Sequence, residues 1–197
     1  MKSLAVYCGS NYGDNPLFKE GAAALGTAMA QQGITLVYGG GSIGLMGTVA
    51  DAVLAAGGTA IGVIPTFLKN KEMGHPGLTE LIEMPDMASR KLKMMELADG
   101  YIAMPGGLGT FEELFEVLSA AQLRLHSKPT GLLNVAGFFE PMLQCIKTAV
   151  DERFMPEANM SLMCVADQAD ELLRQMAAYA PVYAPKWVNP PTENANV

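Results

Sequence analysis

Short apolar runs alternate along the chain with longer stretches in which apolar positions recur at helical spacing. The runs at 4–8, 35–38, 60–64, 81–84, 101–104, 130–133 and 162–164 have strand length, while 17–32, 45–56, 87–98, 111–125, 138–150 and 169–179 carry helical patterns. This alternation predicts an α/β fold, a Rossmann-like, doubly wound, mostly parallel sheet of about seven strands with helices on both faces. Ligands of such sheets bind beyond the carboxyl ends of the strands. Three glycine-rich turns fall at those ends: Gly9-Ser10, the segment 39–47 and the segment 105–110. From Pro181 onward the periodicity stops, which predicts one domain over 1–180 and a flexible Pro/Asn-rich tail over 181–197, with Trp187 as a candidate to dock on the body.

Composition narrows the classes. The 197 residues suffice for a sizeable core, and with half of them hydrophobic and 17% charged the chain is not a disordered one. Apolar runs fall short of the 18 or so residues that span a bilayer, so no membrane partner is expected. The first residues hold a single lysine and run straight into a strand pattern, which does not read as a signal peptide. Cys8, Cys145 and Cys164 are far apart and odd in number, which suits reduced thiols and a cytoplasmic location. Two histidines, His75 and His126, exclude a His-rich metal centre, and neither metal nor organic cofactor is required. A net charge of −7 disfavours a nonspecific binder of phosphate backbones, so no nucleic-acid partner is expected.

The segment Pro105-Gly106-Gly107-Leu108-Gly109-Thr110-Phe111-Glu112-Glu113 carries the most chemistry. It follows an apolar strand and precedes an amphipathic helix. Gly106, Gly107 and Gly109 allow close approach of a ligand, and the free amides of a helix beginning near Thr110 suit an anion such as phosphate. Thr110 and Glu113 also fit a capping box, so Glu113 reads either as a functional acid or as a cap.

Gly39-Gly40-Gly41-Ser42-Ile43-Gly44 matches the dinucleotide fingerprint in its strand-to-helix context. The next strand ends Gly62-Val63-Ile64-Pro65-Thr66, without the acid that would hold a ribose. Gly44 and Gly47 then serve close helix packing, and Gly40 and Gly41 stay candidates for a phosphate or ribose contact. Farther on, Asp86 is a good N-cap. Arg90, Lys91 and Lys93 crowd the helix start that follows, where the dipole disfavours cations. Either an Asp86–Arg90 pair or an anionic ligand compensates them, and Arg90 is the strongest candidate for binding an anion.

Taken together these residues resemble the Lonely Guy family, the cytokinin riboside 5′-monophosphate phosphoribohydrolases. The likeness runs from about Val6 to Val150. It includes Val6-Tyr7-Cys8-Gly9-Ser10, Leu36-Val37-Tyr38-Gly39-Gly40-Gly41, Gly44-Leu45-Met46-Gly47, Gly62-Val63-Ile64-Pro65, Arg90-Lys91 and the motif ending at Glu113. Gln122-Leu123, His126, Lys128-Pro129 and Gly131-Leu132-Leu133-Asn134-Val135 extend it. The resemblance implies hydrolysis of the N-glycosidic bond of an adenine-type nucleoside 5′-monophosphate to the free base and ribose 5-phosphate. It implies Arg90 and Glu113 as the catalytic pair, with Gly107, Leu108, Gly109 and Thr110 on the phosphate. Glu72, Lys91 and Ser119 would line the nucleotide pocket beside Ser10, with Met94 affecting its depth. It also implies a homodimer with the active site near the subunit interface. The chain departs from the family pattern at Ala88, where His is usual, and at Ser119-Ala120-Ala121, where Thr-Trp commonly precedes the glutamine; both alter the pocket wall. The short glycine motif also carries the label lysine decarboxylase, but no pyridoxal-type lysine site is evident. Two rival classes are a non-catalytic nucleotide binder or carrier, which needs the glycine cradle but not Glu113, and a nicotinamide oxidoreductase.

Overall fold

The computed structural model describes residues 1–69, 74–181 and 188. Among these residues seven strands alternate with seven α-helices: β1 (Ser3–Tyr7), α1 (Pro16–Gln31), β2 (Thr35–Tyr38), α2 (Gly44–Ala55), β3 (Ala60–Pro65), α3 (Thr66–Lys69), β4 (Glu80–Met84), α4 (Met87–Leu97), β5 (Tyr101–Ala103), α5 (Leu108–Gln122), β6 (Thr130–Leu133), α6 (Glu140–Asp151), β7 (Met163–Ala166) and α7 (Ala169–Ala177). The strands form one sheet in the order β4-β3-β2-β1-β5-β6-β7. Every strand pair is parallel. The expected strands thus all form, with ends shifted by up to two residues.

Strand side chains alternate between the two faces, and this divides the core. Leu4, Val6 and Cys8 of the first strand and its end join Leu36, Tyr38 and Ile102 under α1, α2 and α7. Ala5, Tyr7, Val37 and Tyr101 face the other way, against Met94 of α4 and Val117 of α5. A third cluster joins Leu114 and Leu118 of α5 to Leu132, Phe139 and Leu162. With both faces covered, near-continuous apolar strands are what such a sheet requires.

Two local differences from the sequence reading follow from turn chemistry. Between β3 and β4 the described residues include the four-residue α3, where helical periodicity has no room to show. The fifth helix starts at Leu108 with Gly107 as its N-cap, three residues before the position the apolar stripe suggests. The periodicity reports the buried face, and the first turn has none: Leu108 is 88% exposed. No helix among the described residues is long and apolar enough to cross a membrane. The expected tail lies almost wholly outside the described residues, and Trp187 does too.

Candidate functional site

The strand order reverses at β1, whose neighbours β2 and β5 lead to opposite halves of the sheet. A crevice opens at such a switch point because the connections leave in opposite directions. Here it is a cleft of about 230 Å³, lined from β1 and its turn by Tyr7, Cys8, Gly9 and Ser10, from α2 by Met46, from α4 by Arg90, and from α5 by Gly107, Leu108, Gly109, Thr110 and Glu113.

Three amides at the start of α5 are available to a ligand. Phe111 N already donates to Gly107 O at 3.1 Å, and the N–H groups of Leu108, Gly109 and Thr110 find no acceptor among the described residues. Helix amides left open in this way, with the dipole behind them, favour an anion. Gly106 fits this turn because a Cβ there would lie 2.2 Å from Thr110 Oγ1 and 2.9 Å from Gly9 N. Gly106 therefore shapes the cradle from behind and faces a neighbouring cavity rather than the cleft.

At the second turn of α5 the carboxyl of Glu113 is buried, and its Oε1 has no hydrogen-bond partner. Arg90 Nη1 lies 3.4 Å from that oxygen, with the two side chains 9% and 10% exposed. Arg90 is itself anchored, since its Nε donates to Val63 O at 3.0 Å. Burial pushes the Glu113 carboxyl up to about 7, against the opposing pull of Arg90 and a smaller one from Lys91, with Glu112 and Glu116 adding to the rise. Leaving a buried carboxyl oxygen unbonded is costly, so the arrangement has the look of a group reserved for a ligand or water. Tyr7 forms the floor, stacked on Tyr101 at 6.3 Å, and burial holds its hydroxyl well above the ordinary range, so it is a neutral phenol. Burial likewise raises the Cys8 thiol, which makes it a poor nucleophile.

The structure corrects three local readings. Thr110 sits inside the helix, so Thr110 and Glu113 do not form a capping box. Asp86 caps α4 through Ser89 N at 2.8 Å rather than pairing with Arg90, whose guanidinium turns inward to Val63 and Glu113. The dinucleotide fingerprint is closed to a pyrophosphate: Leu45 N and Met46 N at the start of α2 both donate to Gly9 O, at 3.0 and 3.3 Å. Gly44 and Gly47 are packing positions, where a Cβ would stand 2.3 Å from Ser10 C and 2.1 Å from Ser42 O.

Ser10, Arg90, Gly107, Leu108, Gly109, Thr110 and Glu113 thus share the cleft, and the other candidates among the described residues stand elsewhere. Gly40 O accepts from His75 N, and Gly41 is bridged to Gly74, so this pair holds the loop before β4. Met94 is buried in the core under β1. Lys91 is outside the cleft lining, its side chain 17% exposed and paired with Glu112 and with Glu116 at 3.2 Å. Ser119, nearly two turns beyond Glu113, is exposed and lines a different cavity. Glu72 lies outside the described residues.

Two contributors escaped the sequence reading. Tyr7 could have been found from its place at the carboxyl end of β1. Gly39 could not: a Cβ there would lie 2.2 Å from Arg90 Nη2, a contact made only in the fold.

The family described as "Possible lysine decarboxylase" matches residues 46–176. The chain is 44% identical over 183 residues to the cytokinin riboside 5′-monophosphate phosphoribohydrolase LOG7 of Arabidopsis thaliana, covering 93% of this chain and 84% of that one. It is also 44% identical over 183 residues to the cytokinin riboside 5′-monophosphate phosphoribohydrolase LOG of Oryza sativa subsp. japonica, covering 93% and 76%. Among solved structures, the molybdenum cofactor binding protein of Rippkaea orientalis matches with a TM-score of 0.68 and 21% identity over 89% of this chain and 95% of that one; at that identity the likeness is one of fold. Among the described residues no lysine lines the cleft, where a decarboxylase of the pyridoxal type would need one.

Proposed function

The chain belongs to this Lonely Guy family, and on that premise we propose that it hydrolyses the N-glycosidic bond of adenine-type nucleoside 5′-monophosphates, AMP or an N6-prenylated AMP. The products are the free base and ribose 5-phosphate. One observation carries the assignment to this cleft: a buried carboxyl with an unbonded oxygen, beside a fixed guanidinium, one turn from three open helix amides.

The amides of Leu108, Gly109 and Thr110 take the 5′-phosphate, which sets the ribose across the cleft toward Glu113. As the bond from C1′ to the base nitrogen breaks, its electron pair leaves with the base and the sugar becomes oxocarbenium-like. The Glu113 carboxylate stabilises that charge and takes a proton from the attacking water, whose oxygen bonds to C1′. The proton that Glu113 takes from the water passes by way of solvent to the departing base nitrogen, so one water is divided between C1′ and the base and Glu113 is again ionised. Arg90 is the positioning partner: fixed to Val63 O, it orients Glu113 and favours its ionised form.

A nucleotide carrier would need the amides but would gain nothing from a buried, unbonded acid, so the geometry favours the enzyme. The proposal extends to a homodimer, supported by the exposed Leu92, Leu123 and Leu125 around α4 and the end of α5. It extends also to a cytoplasmic location, supported by three unpaired cysteines.

The test is chromatography of purified protein incubated with AMP and N6-isopentenyl-AMP, with their nucleosides as controls. Free base from the monophosphates alone is the expected result, and the faster substrate names the preference. No base from either would leave the carrier reading.

A further inference from the structure

Tyr7 ends β1, and the alternation of that strand sends its side chain, with that of Ala5, to the face covered by α4 and α5. Its ring lies against Tyr101, with 6.3 Å between centroids and 12° between planes, and Tyr101 packs in turn against the His126 ring at 5.2 Å. Its backbone carbonyl accepts Met104 N at 2.9 Å, which ties the end of β1 to the segment leading into the cradle. The phenol is therefore held in place, with only 3% of the residue exposed. Yet its hydroxyl bonds to no group among the described residues. A buried hydroxyl left unbonded is costly, and a phenylalanine would give the same stack without it.

The hydroxyl is not sealed in. Among the described residues, the unbonded side-chain atoms closed to water are Glu113 Oε1, Thr130 Oγ1, and Oδ1 and Nδ2 of Asn159. The Tyr7 hydroxyl and Glu113 Oε2 are also unbonded but stand outside that set, so each keeps an opening, and the space that both residues line is the cleft. The two are not bonded to each other, so a molecule between them has to join them. Tyr7 supplies the donor, because burial first and the Glu113 charge next keep its proton on. The carboxylate supplies the acceptor. A water meets both with one lone pair and one proton, and its second lone pair stays free.

We propose that Tyr7 is a further catalytic residue, whose hydroxyl donates to the attacking water while that water gives its proton to Glu113 Oε2. This rests on the hydrolytic reading of the cleft. The free lone pair forms the bond to C1′, and Tyr7 keeps its own proton throughout. The stacked ring fixes the water before the sugar arrives, so no ordering is left for the moment of reaction.

The test is Tyr7→Phe, which keeps the ring and removes only the hydroxyl. With AMP, kcat should fall roughly 10–100-fold while KM stays within about threefold. The variant should melt no lower than the native chain, because the lost hydroxyl bonds to nothing in the fold, and circular dichroism checks the fold itself. The loss should also depend on Glu113. In the Glu113→Gln background, followed by base release over long incubations, adding Tyr7→Phe should cost no more than about threefold, because two groups acting on one water do not add. With 2′-deoxy-AMP and 3′-deoxy-AMP the ratio of native to Tyr7→Phe turnover should match that for AMP.

Unchanged kcat overturns the proposal, as does a full multiplicative loss in the Glu113→Gln background. A ratio that collapses with either deoxynucleotide would put the hydroxyl on the ribose instead of the water and would also overturn it. A lower melting temperature would make the hydroxyl a structural group, with the same result. The two proposals fail distinguishably. A native chain that hydrolyses AMP, with Tyr7→Phe its equal, loses only the role of Tyr7, whereas a native chain that releases no base loses both.

Discussion

Two sets of opposite charges bridge the same pair of helices from neighbouring positions. Arg90 meets Glu113 inside, at 3.4 Å and about nine-tenths buried on both sides. Lys91 meets Glu112 and Glu116 outside, where the two carboxylates are 54% and 40% exposed. One residue along each helix is a rotation of about 100°, and that alone moves a pair from solvent to interior. The outer set makes good hydrogen bonds and contributes little, because water and ions screen it. The inner pair lies close but leaves a carboxyl oxygen unbonded, and that deficit is what a substrate or water can satisfy. Good pairing marks the structural cluster, and incomplete pairing marks the chemical one.

The largest effect should come from Glu113→Gln, which keeps size and hydrogen bonding but removes the charge. Turnover of AMP should fall by roughly three to four orders of magnitude while nucleotide still binds, measured by base release and by calorimetry. Unchanged turnover would reduce Glu113 to a packing residue.

Next in size is Arg90→Gln, which should lower kcat/KM by about 10²–10³-fold and move its pH dependence. A carboxyl raised by burial to about 7 is protonated below that value. The activity of a base therefore rises with pH through about 7 and levels above it. The guanidinium lowers the Glu113 pKa, so removing it should shift the rising limb to higher pH. A limb that stays in place would mean that Arg90 does not act through Glu113.

Gly39→Ala should come third. Its new Cβ would meet the Arg90 guanidinium at 2.2 Å and the Met46 sulfur at 3.0 Å, so the arginine must move. A loss on the order of 10–100-fold in kcat is expected, because small misplacements of catalytic groups are costly. Native turnover in this variant would show that the guanidinium has room to spare.

The smallest effect should come from the outer set. Lys91→Met should change stability by no more than about 1 kcal/mol in chemical denaturation, and kcat by no more than about threefold. A larger loss of activity would draw Lys91 into the site and erase the contrast between the two clusters.

Much of this arrangement was legible in the chain. The strand-helix alternation carried the parallel sheet, because a sheet buried on both faces needs apolar strands and amphipathic crossovers. The glycine motif at 105–109 carried the anion cradle, because helix amides and missing Cβ atoms are local properties. The side of the helix on which Glu113 falls was not legible. A Thr-x-x-Glu sequence fits a capping box as well as an inward acid, and only the helix start at Leu108 decides between them. Arg90 was singled out over Lys91 by the chemistry of its guanidinium, but that it turns inward to Val63 and Glu113 was not legible. Ser119 was assigned to the nucleotide pocket by resemblance and Met94 was expected to affect its depth, yet packing puts one in another cavity and the other in the core. Such placements depend on tertiary contacts, and no spacing rule encodes them.

Gly9 joins the two helix starts at the switch point. Its N–H donates to Pro105 O at 3.0 Å, ahead of α5, while its carbonyl accepts both Leu45 N and Met46 N of α2. One helix end is thereby satisfied from within the chain and the other is left open. A single phosphate finds donors at α5. A longer polyphosphate crossing toward α2 would bring added negative charge to amides already engaged and to a carbonyl oxygen. Under the proposed function, the backbone of one glycine would make the cleft a gauge of phosphate number, because the amides of Leu45 and Met46 are already engaged and those at the start of α5 are not.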